Sequence, residues 1–401
     1  MNFLKGLGCR IYQGAFRIML PFLPYREPKI LKSNKDLANK LKELAITNVL
    51  LVTDSGLKKL GLTAELEKAI KDKGIQLHIY DRTVPNPTTN NVAEALEMYN
   101  SFHCEAIVAF GGGSPMDCAK AVGARVVRPN KPPSKMKGVL KVMKKLPPLF
   151  AIPTTAGTGS ETTIAAVITD SETRHKYAIN DFSLIPHYAM LDEKLTFGLP
   201  PHITATTGMD ALTHAVEAYI GRSTTKKTRQ NAKDAVKLIF ENLENAYHNG
   251  NNKLARANML KASYLAGLAF TKSYVGYVHA VAHSLGGKYN IAHGLANAVL
   301  LPVVLKKYGK RIYKKLWQLG LYARLFATDT PIEQGAKLFI KKIEKMNKAM
   351  NIPTNFPELN RMDIPALAVT ASKESNPLYP VPVLYNAEQL EEIYRQVLVK
   401  V

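Results

Sequence analysis

Between residues 34 and 191, short apolar runs alternate with longer amphipathic stretches. Asn48–Thr53 (Asn-Val-Leu-Leu-Val-Thr), Ile75–Tyr80, Glu105–Phe110, Pro148–Ile152 and Tyr188–Leu191 are apolar at most positions, the pattern of strands buried on both faces. Asn34–Leu44, Leu57–Lys73 and Thr89–Asn100 carry apolar residues at helical spacing, and Gly74 stops the second of them. Ala165–Asp170 and Tyr177–Asn180 read as the strands of a hairpin. Repeated strand–helix units predict a parallel, doubly wound sheet. After about Thr196 the period changes. Long helical stretches run to Val401, punctuated by Pro200-Pro201, Gly221, Gly250, Pro302, Pro353 and Pro357. The expectation is an α/β domain over residues 1–195 and an all-helical domain over residues 196–401.

Residues 1–31 stand apart. Phe3 to Pro24 is apolar, aromatic and basic, but Lys5, Arg10 and Arg17 interrupt every long apolar run, which excludes a membrane-crossing helix. The same charges make a poor signal-peptide core. The segment is expected to pack on the body of the protein or to serve a subunit contact; an amphipathic surface anchor is the alternative.

Composition narrows the classes. The 401 residues suffice for two domains, and 46% apolar with 21% charged is ordinary for a globular protein. Cys9, Cys104 and Cys118 are odd in number and widely spaced, which argues against a disulfide framework and a thiolate zinc site and fits a reducing, cytoplasmic setting. The net charge of +22 raises the question of nucleic acid or an anionic membrane. The lysines are spread through Lys135–Lys145, Lys306–Lys315 and Lys341–Lys348, and there is no zinc finger or RNA-binding aromatic motif. The reading adopted is a basic enzyme surface, with no nucleic-acid partner and no stable membrane insertion.

Two kinds of segment carry candidate chemistry. The strand at Glu105–Phe110 runs into Gly111-Gly112-Gly113-Ser114, and the helix after it offers its N-terminal amides to a pyrophosphate. Pro153-Thr-Thr-Ala-Gly-Thr-Gly-Ser-Glu161 follows another strand, at the edge where open α/β sheets bind ligands. In the helical half, His279 and His283 are four apart on one helix face, and Gly286-Gly287 is expected to interrupt that helix and return His293 toward it. Asp210 and His214 have the same spacing in an Ala-rich setting that argues against a solvated face. Four imidazoles and a carboxylate make a candidate metal site.

Taken together, Val52-Thr-Asp-Ser-Gly56, Pro85-Asn-Pro-Thr88, Gly111-Gly-Gly-Ser-Pro-Met-Asp117, Ile152-Pro-Thr-Thr-Ala-Gly-Thr158, Thr207-Gly-Met-Asp-Ala-Leu-Thr-His-Ala-Val-Glu217 and His279-x-x-x-His283 through His293-Gly resemble the iron-containing, or group III, alcohol dehydrogenase family. The resemblance implies a Rossmann-like dinucleotide-binding domain followed by an all-helical metal-binding domain, the dehydroquinate synthase-like fold. It implies Asp210, His214, His279 and His293 as metal ligands, with His283 near the metal but not bound to it, close to substrate and nicotinamide. It implies cofactor contacts from Gly111, Gly112, Gly113, Ser114 and Asp117, from Thr154, Thr155 and Thr158, and from Asp54 beside the adenosine ribose. Relatives are often dimers or larger, so a homo-oligomer is expected. The stretch Pro28–Lys35 departs from the glycine-containing turn common in relatives.

The implied chemistry is hydride transfer between a small primary alcohol or diol, or its aldehyde, and nicotinamide, with a divalent ion as Lewis acid. Imidazole suits Fe²⁺ and Zn²⁺ alike, so both are expected to serve, Fe²⁺ being the family's metal. A carboxylate at Asp54 accepts from a ribose hydroxyl and repels a 2′-phosphate, so NAD is expected over NADP; the alternative is that Asp54 only caps the next helix. His283 is either a proton relay or a residue that shapes the pocket. A glycerol-type dehydrogenase or a metal-dependent lyase of the same superfamily is the nearest rival. A membrane- or nucleic-acid-associated binding protein is the rival of another class.

Overall fold

The structure is a computed structural model that describes residues 3–399. Two compact units emerge: Pro24–Phe197, and Gly198–Val401 together with Met1–Leu23.

The first unit is built on a parallel sheet of β1 (Lys29–Leu31), β2 (Asn48–Val52), β3 (Gln76–Tyr80), β4 (Ala106–Gly111), β6 (Leu149–Pro153) and β9 (Tyr188–Met190), in the order β1-β9-β6-β4-β2-β3. β2 shows why the sheet is two-sided. Val49 and Leu51 join one core cluster and Leu50 and Val52 the other, and all four are fully buried. Alternation along a strand sends successive side chains to opposite faces, so a continuous apolar run serves two layers of helices. β5 (Gly138–Val139), β7 (Ala165–Thr169) and β8 (Lys176–Asn180) form a second small sheet, with β7 and β8 antiparallel as expected, Ala165 opposite Asn180. The short strands β1 and β5 have no apolar run long enough to be read from sequence.

In chain order the helices are α1 (Phe3–Met19), α2 (Asn34–Glu43), α3 (Ser55–Lys59), α4 (Ala64–Lys71), α5 (Thr89–Ser101) and α6 (Gly113–Val127). The helix expected over 57–73 is therefore two, broken at Gly61, whose φ of 69° lies in the left-handed region. The second unit holds α7 (Pro201–Ile220), α8 (Lys226–His248), α9 (Lys253–Ser273), α10 (Tyr277–Tyr289), α11 (His293–Tyr308), α12 (Tyr313–Tyr322), α13 (Ile332–Ala349), α14 (Ile364–Ser375) and α15 (Ala387–Gln396). α7 is its axis, buried from Gly208 to Ile220 and packed on α8, α9 and α11.

Two expectations are corrected. Residues 1–31 were grouped with the α/β domain, but those up to Leu23 belong with the helical unit. Arg10 donates to the carbonyls of Val381 and Pro382, and Gln13 to those of Pro377 and Tyr379, which ties α1 to the C-terminal segment. Gly286-Gly287 does not interrupt a helix. α10 runs through both and stops at Asn290, which adopts the left-handed conformation. Two glycines lower helix propensity by about 1 kcal/mol each, less than the burial of Val278, Val281 and Leu285 on the same helix contributes.

Candidate metal centre and cofactor cradle

In the helical unit, Asp210 and His214 stand one turn apart on α7, His279 on α10, and His293 at the first position of α11. Their ligand atoms all lie within 4.8 Å of one another. Asp210 Oδ1 is 3.4 Å from His293 Nε2, 3.7 Å from His279 Nε2 and 4.0 Å from His214 Nε2. Donors set about 2.0–2.1 Å from a tetrahedral ion stand roughly 3.4 Å apart, so an ion fits with small adjustments.

Close backbone approaches assemble the cluster. A Cβ on Gly294 would meet the Thr206 carbonyl oxygen at 2.5 Å, so only glycine lets the start of α11 lie on α7 and bring His293 to Asp210. A Cβ on Gly276 would meet Glu217 Oε1 at 2.6 Å. Glu217, one further turn along α7, lies under the start of α10 and accepts from the amides of Gly276 (2.7 Å) and Val278 (2.8 Å). Its Oε2 also lies 2.7 Å from His279 Nδ1. A proton on Nδ1 leaves the lone pair on Nε2, which is buried and has no hydrogen-bond partner. That orphaned acceptor beside a carboxylate is what a metal ligand looks like before the ion is counted.

The electrostatics agree. Burial opposes a charge on His279, but the carboxylates of Asp210 and Glu217 outweigh it and lift the ring to about 9. Burial pushes Asp210 upward, yet the three imidazoles hold it well below the usual carboxylate range. His293 is driven well below its ordinary value, first by the protein packed around its ring, although part of the side chain still reaches solvent, and then by the neighbouring imidazoles, against the pull of Asp210. A field that attracts a proton to this point attracts a divalent cation more strongly, and a neutral His293 is the form that ligates. Asp210, His214 and His279 are almost fully enclosed, whereas the His293 side chain is 38% exposed. The centre is therefore closed on three sides and open on the fourth, the arrangement of a catalytic rather than a structural ion.

His283 lies beside this cluster and outside it. Its ring stacks on that of His293, centroids 5.1 Å apart, and its Nδ1 is 2.6 Å from Glu374 Oε1. Tyr379 donates to the same carboxylate oxygen at 2.6 Å.

In the α/β unit, the glycine turn and the threonine loop face one another. A Cβ on Gly112 would lie 3.3 Å from Thr155 Oγ1, and one on Gly113 would lie 3.3 Å from Thr158 Cγ2. The Thr154 amide donates to the Gly111 carbonyl at 3.1 Å. Ser114 Oγ accepts from the Asn86 amide, and Lys176 donates to the Asn86 side chain at 2.7 Å, which places a cation beside the turn. Asp54 caps α3 through Oδ1, which accepts from Leu57 at 2.9 Å, at the C-terminal end of β2. Asp117 is turned toward the threonine loop, accepting from Ser160 Oγ at 3.2 Å.

Sequence reasoning missed five residues here. Glu217 closes the stretch Thr207–Glu217, seven residues after Asp210 and thus on the same face, a signal present in the sequence. Asn297, whose Nδ2 is 2.7 Å from Asp210 Oδ1 and 3.0 Å from His293 Nε2, sits four after His293 and was equally findable. Glu374 and Lys176 reach their sites from distant segments and carry no local signature. Lys120 is the fifth. It is 1% exposed, and its ammonium donates to Ser160 O, Ser160 Oγ, Thr163 O, Thr163 Oγ1 and Ala165 O at 2.7–3.1 Å. It fastens the end of the threonine loop to the helix that begins at the glycine turn. Burial lowers it to about 8, against the opposing pull of Asp117 and Glu161.

One carboxylate with three imidazoles suits a Lewis-acid ion, and a glycine turn at a strand's C-terminal end suits a dinucleotide; the two together define a metal-dependent oxidoreductase. The chain belongs to the iron-containing alcohol dehydrogenase family. Residues 30–193 match the model of iron-containing alcohol dehydrogenase, and residues 204–398 match that of the family's C-terminal region. Alcohol dehydrogenase 4 of Saccharomyces cerevisiae strain YJM789 is 38% identical over 364 residues, covering 90% of this chain and 94% of that protein. The 1,3-propanediol dehydrogenase of Citrobacter freundii is 38% identical over 359 residues, 88% of this chain and 92% of its own length. A crystal structure of 1,3-propanediol oxidoreductase superposes with a TM-score of 0.89 at 35% identity, covering 93% of this chain and 99% of that one. The chain is an alcohol dehydrogenase that works with a divalent metal and a nicotinamide dinucleotide.

Proposed function

We propose that this chain interconverts small, uncharged primary alcohols or diols with their aldehydes, using NAD in preference to NADP. The observation that carries the reading is the four-donor cluster with its one open side at His293. When bound there, the ion supplies Lewis-acid stabilisation of the alcohol oxygen, and the dinucleotide takes up or gives the hydride.

The chain's own residues do the rest. Asp210, His214, His279 and His293 hold the ion, and Glu217 keeps the proton on His279 Nδ1, so that Nε2 faces the ion. Beside the open side, Glu374 engages His283 at Nδ1, which leaves Nε2 to exchange a proton with a substrate hydroxyl. The Glu374 carboxylate there disfavours an anionic substrate, which is the argument for neutral alcohols. The glycine turn, with Ser114 and Lys176, receives the pyrophosphate; the threonine loop lines the cofactor; Asp54 uses Oδ1 as a helix cap and offers Oδ2 to the adenosine ribose.

The names of the relatives support a substrate range from simple alcohols to 1,3-propanediol. The unpaired cysteines fit a cytoplasmic setting, and a homo-oligomer is the assembly we expect. Among the described residues no helix is long and apolar enough to cross a membrane. The test is a panel of alcohols, diols and anionic hydroxy acids against NAD and NADP, on anaerobically purified protein of known metal content. Turnover confined to hydroxy acids, or to NADP, overturns the reading.

A further inference from the structure

α1 is packed the wrong way round for a helix on a globular body. Such helices bury an apolar stripe and expose the polar one. Here Gln13 is 4% exposed and held by two carbonyls, and Arg10 by two more, so polar side chains take up much of the face turned to the protein. Leu4 (72%), Ile11 (64%) and Ile18 (73%), seven residues apart, form one line on the outside, joined by Leu7 (48%) and by Phe22 (85%) beyond the helix end. Phe16, edge-on to Tyr274 with ring centroids 5.0 Å apart, and buried Leu20 anchor it by apolar contact. The helix precedes the part of the chain that matches the family, which begins at residue 30.

Basic residues accompany this line. α1 carries Lys5, Arg10 and Arg17 and no Asp or Glu; Lys5 and Arg17 are exposed, whereas Arg10 is turned inward. Arg222 is exposed, and its amide donates to the Pro380 carbonyl, in the loop that holds α1. It opens the run Arg222-Ser-Thr-Thr-Lys-Lys-Thr-Arg229, again with no acid. Lys315 caps the end of α7, donating to Ile220 and Gly221, and feels Arg229, Arg222 and Arg17 as repelling neighbours. The cations of Arg17, Arg222 and Arg229 beside an apolar line suit an anionic partner supplied from outside.

We propose that α1 is an interfacial helix that seats this dehydrogenase on an anionic lipid surface, with Leu4, Ile11, Ile18 and Phe22 entering the headgroup–acyl boundary and Arg17, Arg222 and Arg229 meeting the headgroups. The pattern matches a helix that lies in the interface plane: an apolar face, flanking Lys and Arg, and no span. A second copy of the chain fits less well, because two such surfaces would bring the Arg17–Arg222–Arg229 cations together.

The experiment is flotation of the full-length, metal-loaded protein with vesicles of phosphatidylcholine alone or mixed with phosphatidylglycerol. The wild type is expected to float with the mixed vesicles only, less as salt rises. Ile11→Glu with Ile18→Glu is expected to lower partitioning at least about tenfold, with alcohol oxidation and melting temperature unchanged. Arg17→Glu with Arg222→Glu is expected to lower it by more than about twentyfold, taking each lost basic residue as roughly fivefold. The proposal is overturned by no binding to the mixed vesicles, by equal binding of wild type and Ile11→Glu/Ile18→Glu, or by dissociation of an oligomer by Ile11→Glu/Ile18→Glu in light scattering without any vesicle binding. Retention of wild type and variant alike on DNA, without vesicle binding, overturns it too.

Discussion

Glu217→Gln is the substitution that tests how the metal centre is held. In the wild type one carboxylate serves three donors, at 2.7 Å to Gly276 N, 2.8 Å to Val278 N and 2.7 Å to His279 Nδ1. Glutamine keeps the shape but has only one acceptor oxygen. If that oxygen takes the Oε2 place, it still serves Gly276 and His279, and its NH₂ confronts the Val278 amide. If it takes the Oε1 place, the NH₂ confronts His279 and drives the ring to the other tautomer, with the proton on Nε2, where the ion must bind. Either way one buried donor loses its partner, about 1–3 kcal/mol against stability. Removing the negative charge also lowers the donor strength of Nε2. Loss of an outer hydrogen-bond partner of a ligating histidine weakens metal affinity on the order of 10–100-fold, about 1.4–2.7 kcal/mol. The assay is metal affinity by chelator competition, run beside the melting temperature of the metal-free protein. If the melting temperature falls while affinity stays within about twofold of wild type, Glu217 merely supports the fold and the argument from tautomer fails.

Other substitutions probe separate parts of the molecule. Asp54→Gly is expected to raise the NADP:NAD ratio of kcat/KM by at least about tenfold if, as proposed, it removes a carboxylate that meets the 2′ position; an unchanged ratio leaves Asp54 as a helix cap only. Lys120→Met removes the cation that five oxygens surround and is expected to destabilise the α/β unit by about 2–5 kcal/mol and to raise KM for NAD more than it lowers kcat, since the threonine loop loses its fastening. His283→Ala is expected to reduce kcat and shift its pH profile, and a profile identical to wild type rules out the relay. His187 is lowered to about 4 by burial and by the charges of Arg26 and Lys145, and its Nδ1 accepts from the Leu149 amide. Between the ordinary histidine value of about 6.5 and this one, the unfolded chain takes up a proton that the folded chain refuses, so stability falls as pH falls through that window. His187→Asn keeps an acceptor that does not titrate, and the slope of melting temperature against pH from about 6.5 to 4 is expected to flatten.

Much of the fold was legible because it is written in short-range pattern. A strand buried on both faces must be apolar throughout, so β2, β4 and β6 announce themselves, as does the glycine turn at the end of β4. The donor set was legible through motifs whose spacing matches a family. β1 escaped notice because a strand of three residues at a sheet edge needs no apolar run. Gly61 and Gly286-Gly287 show the limit from both sides: one glycine breaks a helix and two others do not, since packing against neighbours rather than local propensity decides.

What the sequence by itself determined is the alternation of apolar and polar positions, hence the kinds of element, and the residue types able to bind an ion or a pyrophosphate. Only the tertiary structure decided which of those residues meet. Asp210 and His293 are 83 positions apart in the chain, yet their ligand atoms stand 3.4 Å apart because Gly294 admits the Thr206 carbonyl. Glu374 reaches His283, and Lys120 the threonine loop, by equally long routes. α1 turns its apolar side outward because four carbonyls of the 377–382 segment claim its polar one. Periodicity is a property of neighbours along the chain; convergence depends on close approaches between segments that periodicity does not encode.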